Sequence, residues 1–330
     1  MSVFFLPQLS VRLSKPHAMK SFMSDSVALT ESVSSSPAFP EAGVRDYLSL
    51  LKPRVMSLVV FTGWAGLWIA PGFDRLHPFL AFVAILCLAL GAGASGAINM
   101  WYDRDIDARM RRTCMRPLPA GRMAPDNALA FALILSLFSV MTMGLALNAV
   151  AAGLLAFASF FYAVVYTMGL KRRTPENIVI GGAAGAFPPV IGWAAVTGEI
   201  SVLPLCLFAI IFLWTPPHFW ALSLFSNEDY RRAGIPMMPV VKGSFATRLR
   251  MLAYTVALLP ATLGPWMMGG AGGVYALTAG ALSIFFVFIA ARLLAERDPA
   301  RMTAQARRMF GYSIFYLFAL FGALMIDAHP

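Results

Sequence analysis

The sequence predicts an all-α membrane protein, a bundle of nine transmembrane helices around a central cavity with charged loops over its cytoplasmic mouth. Three observations support this fold class: the composition, the length of the charge-free stretches and the placement of the basic residues. Of the 330 residues, 59% are hydrophobic and 13% are charged, and this charged share is about half that of a soluble domain. A chain with so little polar surface is not a soluble cytosolic enzyme, a disordered protein or a fibre.

Charge-free stretches set the expected number of crossings. Seven stretches lack Asp, Glu, Lys and Arg: 55–73, 76–102, 127–170, 177–198, 200–227, 251–291 and 309–326. A helix that crosses a bilayer needs about 20 apolar residues, so five stretches fit one crossing each. The stretches 127–170 and 251–291 are long enough to cross twice, with turns expected near Asn148 and in the glycine-rich segment 269–273. The predicted total is therefore nine helices.

The basic residues give an independent check on that count. If nine helices alternate in direction, 25 of the 26 Lys and Arg residues fall on one side, and only Arg75 falls on the other. Basic residues concentrate on the cytoplasmic side of membrane proteins, so the net charge of +10 indicates topology and not a nucleic-acid partner. We expect a multi-pass protein of a bacterial inner membrane, with a cytoplasmic N-terminus and a periplasmic C-terminus, or of the mitochondrial inner membrane in a eukaryote.

Two segments of different character are expected along the chain. Residues 1–44 are rich in Ser and Pro, which predicts a disordered cytoplasmic tail. A mitochondrial transit peptide is the alternative, and Asp25 and Glu31 argue against it. Residues 45–330 are expected to form one nine-helix membrane domain.

An acidic stripe at the end of the second predicted helix is the strongest candidate site. Asn99, Asp103 and Asp107 are spaced four residues apart and would lie on one face of a helix. Two carboxylates one turn apart repel each other unless a cation lies between them, and Mg²⁺ takes oxygen ligands of this kind together with substrate phosphates. Arg112 and Arg116 follow at the same spacing, and guanidinium groups suit phosphate oxygens. The alternative is a solvated turn that pairs its own charges.

Two further clusters fall on the same predicted side. The sixth predicted helix ends with His218 inside an apolar run, followed by Glu228 and Asp229. Asp229 or Glu228 could complete a second metal site, and His218 could contact a porphyrin, transfer a proton or be a structural residue. The segment 171–176 begins with Lys171 and Arg172, which could supply cations to a diphosphate or only determine topology.

Together these parts suit an allylic isoprenoid diphosphate. Metal and cations neutralise the leaving diphosphate, and apolar helix walls hold the hydrocarbon tail. Aromatic faces such as Trp101 or Trp220 could stabilise the resulting cation, although either could equally be an interfacial residue.

The motifs also carry a resemblance. The pattern Asn99, Asp103, Asp107 resembles the NxxxDxxxD motif of the intramembrane UbiA-type prenyltransferase family, whose members have nine transmembrane helices. Three long strings resemble its heme-farnesylating members, in a likeness that runs from about residue 45 to the C-terminus: NMWYDRDIDARMRRTCMRPLPAGR (99–122), YTMGLKRRTPENIVIGGAAGAFPPVIGWAAVTG (166–198) and TPPHFWALSLFSNEDYRRAGIPMMPVV (215–241).

The resemblance implies transfer of the farnesyl group of farnesyl diphosphate to the 2-vinyl group of heme b, with addition of water, to give heme O and diphosphate. It implies Mg²⁺ as cofactor, held by Asn99, Asp103, Asp107 and Asp229, the three aspartates being the catalytic residues. The implied substrate-binding residues are Arg112, Arg116, Lys171, Arg172 and His218. Further implied partners are membrane lipid and a downstream heme A synthase or oxidase assembly factors, in cytochrome oxidase maturation.

The sequence departs from the family pattern at one position, and two alternative functions remain open. Ser226 stands three residues before Asp229, where the family has a second acidic residue, so the second metal site is incomplete or Glu228 substitutes. Another prenyl acceptor, such as 4-hydroxybenzoate, a naphthoate or a chlorophyllide, is the first alternative. A membrane transporter is the second, although transporters carry their charges near the bilayer midplane.

Overall fold

The computed structural model describes residues 41–328, in which all regular secondary structure is helical. Most of the predicted N-terminal tail lies outside these residues. The first half of the described chain contains α1 (Val44–Leu50), α2 (Pro53–Trp68), a short 3₁₀-helix (Phe73–Arg75), α3 (Pro78–Tyr102), α4 (Arg104–Asp107), α5 (Pro125–Ala146), α6 (Ala149–Phe160) and a π-helix (Phe161–Leu170). The second half contains α7 (Asn177–Ala186), α8 (Pro188–Thr197), α9 (Val202–Phe225), α10 (Asn227–Arg232), α11 (Met238–Val241), α12 (Gly243–Met267), α13 (Gly273–Ala295) and α14 (Pro299–Asp327).

These helices confirm the predicted fold class, and the predicted count of nine crossings is approximate. Seven helical segments of residues 41–328 are long and apolar enough to cross a membrane; two of them, Ala149–Leu170 and Asn177–Thr197, each combine consecutive helices. The first and seventh predicted crossings correspond to α2 and α12. The α2 helix has only 16 residues, and α12 carries Arg248 and Arg250 in its first third.

Both turns predicted inside the two longest stretches are present. Asn148 separates α5 from α6, where its side chain accepts a hydrogen bond from Ala151 N and caps the helix. Its Nδ2 atom donates to the carbonyl of Ala194 at 2.8 Å, which ties this turn to α8. Between α12 and α13, Gly269 adopts a φ of 73°, a left-handed conformation that glycine adopts without strain.

The basic segments meet at one end of the bundle. Arg122 is paired with Asp46 in α1 at 3.0 Å, and Arg172, after the π-helix, is paired with Asp105 in α4 at 2.7 Å. At the same end, Arg248 of α12 donates to carbonyls at the C-terminal end of α13, including that of Glu296 at 2.5 Å. We call this the charged end of the bundle; its orientation toward a cellular compartment stays a prediction.

A π-helix precedes the charged end and changes the register of the fourth predicted crossing. This helix has ten residues. Within it, the Thr167 hydroxyl donates to the carbonyl of Tyr162 at 2.8 Å, and at its end the backbone N–H of Lys171 donates to the carbonyl of Tyr166 at 2.9 Å. Both bonds span five residues, as the wider π-helical turn requires, and such turns are rare and frequent at functional sites. The extra width places Thr167 within 3.2 Å of Asn99 Nδ2.

Glycines bring α2 and α8 into backbone contact. A Cβ atom on Gly192 would lie against the carbonyl oxygen of Gly63 and 2.8 Å from Leu67 N. A Cβ atom on Gly66 would lie 2.6 Å from Pro189 Cα. Since backbone atoms cannot move aside as a flexible side chain can, neither position has room for a side chain.

The substitution Gly192→Ala should therefore destabilise the protein. Overpacking costs about 1–3 kcal/mol, so the melting temperature in detergent should fall. Gly280→Ala in α13 is the matched control, because no atom lies within 4 Å of its added Cβ and alanine favours a helix by about 1 kcal/mol over glycine. Equal melting temperatures for the two variants would contradict the close contact.

Candidate active site

The acidic stripe extends from the end of α3 into α4. The α-helix ends at Tyr102, yet its hydrogen-bond pattern continues, since Asp103 N donates to Asn99 O at 2.9 Å and Asp107 N to Asp103 O at 2.8 Å. Asn99, Asp103 and Asp107 thus follow one another along a single face, although the helix is interrupted at Asp103. Their side chains are buried, with Asp103 0% exposed. Asn99 Nδ2 donates to Asp103 Oδ2 at 2.7 Å.

Cations from two loops pair with these buried carboxylates. Lys171 forms a salt bridge with Asp103, and Arg116 forms one with Asp107 at 2.6 Å. Arg172 also lies 3.4 Å from Asp103 Oδ1. Burial of a charge is costly unless the charge is paired, so these cations offset the cost of burying both aspartates.

Lys52 is a member of the site that the sequence reasoning missed. Its Nζ atom donates to Asn99 Oδ1 at 2.8 Å. Burial, together with the neighbouring charges of Arg116 and Lys171, lowers the pKa of Lys52 to about 7. A bound anion would favour the protonated lysine, because an opposite charge stabilises the charged form.

The backbone of Lys52 has an unusual conformation. Its φ of 51° is the only positive value at a non-glycine residue in the described part of the chain. Such conformations occur where the surrounding structure imposes them, often at functional sites. The sequence signal was a lysine directly before Pro53, the first residue of α2.

A second ion pair orients the loop that carries Lys171. Arg172 donates to both carboxylate oxygens of Asp105, at 2.7 and 2.8 Å, and its guanidinium lies over the ring of Tyr102, 4.8 Å from the centroid. The hydrogen bonds from Arg172 lower the pKa of Asp105 below its usual value. This bidentate ion pair holds the loop that follows the π-helix beside α4, so that Lys171 reaches Asp103.

The second predicted cluster meets the first through one polar contact and an apolar cluster. Arg112 NH2 donates to the hydroxyl of Tyr230 in α10 at 3.4 Å. Buried apolar side chains join the two loops beneath that contact: Ile106, Met110, Ile178, Tyr230, Ala233, Ile235 and Met237. Asp229 is bonded to Arg232 within α10 at 2.5 Å, so its role as a metal ligand stays a prediction.

The donor set of the stripe fits a magnesium ion. Asn99, Asp103 and Asp107 offer amide and carboxylate oxygens, which are the ligands that Mg²⁺ prefers. Among residues 41–328, no group of three or more His, Cys, Asp or Glu side chains is placed to hold a metal. The stripe supplies two such carboxylates together with the Asn99 amide, and phosphate oxygens and water commonly complete a magnesium site.

A largely apolar cavity adjoins the stripe. Its volume is about 260 Å³, and its lining includes Lys52 at the charged end, Tyr162 and Tyr166 from the π-helix, and His218 from α9. The remaining lining is mainly aliphatic and aromatic, as expected of a site for an apolar ligand. The cavity therefore places an apolar chamber next to a polyanion site.

His218 is buried at this cavity between aromatic rings. It is 8% exposed and stacks on Trp214 and Phe310, with ring centroids 4.3 and 4.6 Å apart. Its Nδ1 atom lies 2.7 Å from Ser313 Oγ.

Comparisons with known proteins agree with this architecture. Residues 58–314 match the model of the UbiA prenyltransferase family. A relative from Brucella ovis named Protoheme IX farnesyltransferase is 60% identical over 291 residues, which are 88% of this chain and 93% of the relative. The chain therefore belongs to the UbiA prenyltransferase family, and the resemblance seen in its motifs is confirmed.

Solved structures show the same fold. One, from work on digeranylgeranylglyceryl phosphate synthase, has a TM-score of 0.71 at 19% identity and covers 86% of this chain and 98% of its own. A UbiA homolog from Archaeoglobus fulgidus, bound to GPP and Mg²⁺, has a TM-score of 0.61 at 19% identity and covers 84% and 99%. The protein is a polytopic membrane enzyme of the prenyltransferase class, and the transporter alternative is not supported.

Loss of the Lys52 ammonium group should weaken prenyl transfer. Hydrogen bonds to charged groups contribute about 1.5–3 kcal/mol, so Lys52→Met should lower kcat/KM for the prenyl diphosphate by about ten- to a hundredfold. Lys242→Met is the control, since that lysine is exposed. Equal kcat/KM values for the two variants would contradict a role of Lys52 in the site.

Proposed function

We propose that this enzyme transfers the farnesyl group of farnesyl diphosphate to the 2-vinyl group of heme b, with addition of water, and releases heme O and diphosphate. The observation that carries the proposal is the buried cluster of carboxylates and cations directly beside an apolar cavity. The relative from Brucella ovis, whose printed name is Protoheme IX farnesyltransferase, supports heme as the acceptor.

The charged cluster has the composition expected of a diphosphate site. Asn99, Asp103 and Asp107 hold Mg²⁺, which neutralises charge on the leaving diphosphate when it is bound. A solved family member with GPP and Mg²⁺ bound supports this assignment. We also assign Asp229 to the metal, as the residue that the sequence places in the second acidic motif.

The cations bind the phosphate oxygens. Lys171 and Arg116 are bonded to carboxylates in the structure, and each has further N–H groups to donate. Arg172 and Arg112 lie at the edges of the same cluster. Guanidinium and ammonium groups fixed in this position stabilise the charge that develops as the C–O bond breaks.

The cavity separates the reacting carbon from water. Its aliphatic and aromatic lining, which includes the two tyrosine rings from the π-helix, accommodates the farnesyl tail. Exclusion of water delays hydrolysis of the allylic cation until the acceptor has reacted. His218 contacts the porphyrin in this arrangement.

The location and partners belong to the same proposal. The concentration of basic residues at the charged end indicates a cytoplasmic orientation of that end, in a bacterial inner membrane or, in a eukaryote, facing the mitochondrial matrix. Heme O is a prenylated, membrane-embedded product, so a heme A synthase or oxidase assembly factor is the expected recipient.

Purified protein incubated with farnesyl diphosphate, heme b and Mg²⁺ should yield a porphyrin with the mass of heme O. Asp103→Asn should lower product formation by about 10²-fold or more, the scale of a single electrostatic contact to a developing charge. Asp126→Asn is the control, because Asp126 is exposed at the start of α5.

Two outcomes would contradict the proposal. Prenylation of 4-hydroxybenzoate, a naphthoate or a chlorophyllide in place of heme b would show that the acceptor is wrong. Full activity of Asp103→Asn with the same Mg²⁺ requirement would show that the metal site is wrong.

The role of Asp229 can be tested separately. If Asp229 binds a metal, Asp229→Asn should raise the Mg²⁺ concentration needed for half-maximal activity several-fold. Arg232→Ala removes the same ion pair and should leave that concentration unchanged. Equal effects of the two substitutions would indicate that Asp229 only stabilises α10.

A further inference from the structure

The imidazole of His218 has a defined orientation. Trp214 and Phe310 cover its two faces, at interplanar angles of 18° and 24°. Its Nδ1 edge faces Ser313 of α14, and Ser313 does not line the cavity whereas His218 does. The Nε2 edge is therefore the part of the ring that faces the cavity.

The hydrogen bonds of Ser313 determine which nitrogen carries the proton. Ser313 Oγ has a single proton, and this hydroxyl donates to the carbonyl of Phe310 at 2.7 Å. Nδ1 of His218 lies equally close to Oγ, at 2.7 Å. Both contacts are satisfied only if Nδ1–H donates to Oγ, because a hydroxyl that donates to Phe310 can only accept from the ring. His218 is then the Nδ1–H tautomer, with a lone pair on Nε2.

A second hydrogen bond joins α9 to α14 at Ser313. Trp214 Nε1 donates to the carbonyl of Ser313 at 2.8 Å. Trp214 and His218 are one turn apart on α9, so both side chains of this face are bonded to the same residue. The helix between them contains Pro216 and Pro217, which lack the backbone N–H of a regular helix, and the two bonds hold this segment in place.

No other lining group of this cavity is an available base. Among the described lining residues there is no Asp or Glu. The hydroxyl groups of the lining belong to Thr62, Ser95, Ser159, Tyr162, Tyr166 and Thr215, and a neutral hydroxyl is not a base at neutral pH. Lys52 donates to Asn99 at the charged end of the cavity, where a bound diphosphate would keep it protonated and therefore unable to accept a proton. Nε2 of His218 is left as the group that can accept a proton.

We propose that His218 is the base that accepts the proton of the attacking water, and that Ser313 positions it as the Nδ1–H tautomer. This inference rests on the proposed function. A C–C bond forms between the vinyl group and the farnesyl carbon as the C–O bond to diphosphate breaks, and the cation moves to the carbon next to the porphyrin ring. The water oxygen bonds to that carbon, and one of its O–H bonds breaks, with the proton transferred to Nε2.

The ratio of two products tests the base directly. If water is not deprotonated, the intermediate cation loses its own proton and gives a farnesylated porphyrin that is lighter by one water molecule. His218→Asn keeps an amide donor for Ser313 and lacks the Nε2 lone pair. It should lower the ratio of hydrated to dehydrated product by about 10²- to 10⁴-fold, the usual contribution of a general base.

The tautomer is tested at Ser313. Ser313→Ala leaves Nδ1–H without an acceptor, so a smaller fraction of the protein has the tautomer with a lone pair on Nε2. The ratio of hydrated to dehydrated product should therefore fall several-fold, while the KM for farnesyl diphosphate stays unchanged. Ser313→Thr keeps the hydroxyl and should restore the ratio.

Ser139→Ala is the matched control for Ser313→Ala. Ser139 is also a fully buried helical serine whose hydroxyl donates to the carbonyl three residues earlier, at 2.9 Å, and it does not line the cavity. A purely structural role of Ser313 would lower both products together and leave their ratio unchanged.

Each outcome bears on one of the two proposals. If the wild-type protein farnesylates heme b and His218→Asn gives the same product ratio, the assignment of the base is wrong and the proposed function stands. If the wild-type protein does not farnesylate heme b, the proposed function itself is wrong. A ratio that falls in His218→Asn but not in Ser313→Ala would overturn the positioning role of Ser313.

Discussion

The two buried carboxylates of Asp103 and Asp107, where α3 is followed by α4, must be neutralised, and much of the charged end of the bundle follows from this requirement. Removal of a charge from water costs several kcal/mol unless partners replace the water. The partners come from separate segments: Lys52 before α2 reaches Asn99, Arg116 after α4 reaches Asp107, and Lys171 after the π-helix reaches Asp103. These polar contacts join three connections that an apolar cluster including Leu50, Leu118 and Ala163 also brings together, so the fold and the site are one arrangement.

The sequence predicted the helical layout because a bilayer imposes simple rules. Crossing length and the exclusion of charge act on every helix independently, so they can be read without knowing which helices are neighbours. The two internal turns were predicted for the same local reason: Asn148 is a good helix cap, and Gly269 accepts a left-handed backbone. The family and enzyme class followed from long motif strings.

The sequence could not predict contacts that depend on distant packing. Lys52 and Asn99 are 47 residues apart, and no local pattern links them. The π-helix changes the side-chain register of one crossing, which brings Thr167 to Asn99 although regular α-helical spacing gives no such expectation. The pairing of Lys171 with Asp103 likewise joins residues 68 positions apart.

A neutral base suits this cavity better than a carboxylate. A carboxylate exposed to an allylic cation would attract it and could bond to it, which would compete with the acceptor for the farnesyl carbon. It would also need a counter-charge in an apolar wall, at a cost that a neutral imidazole avoids. The described residues follow this separation: the carboxylates lie in the charged cluster, each beside a cation, and His218 lies between aromatic rings. Ionisation and water addition thus use different groups within one chamber.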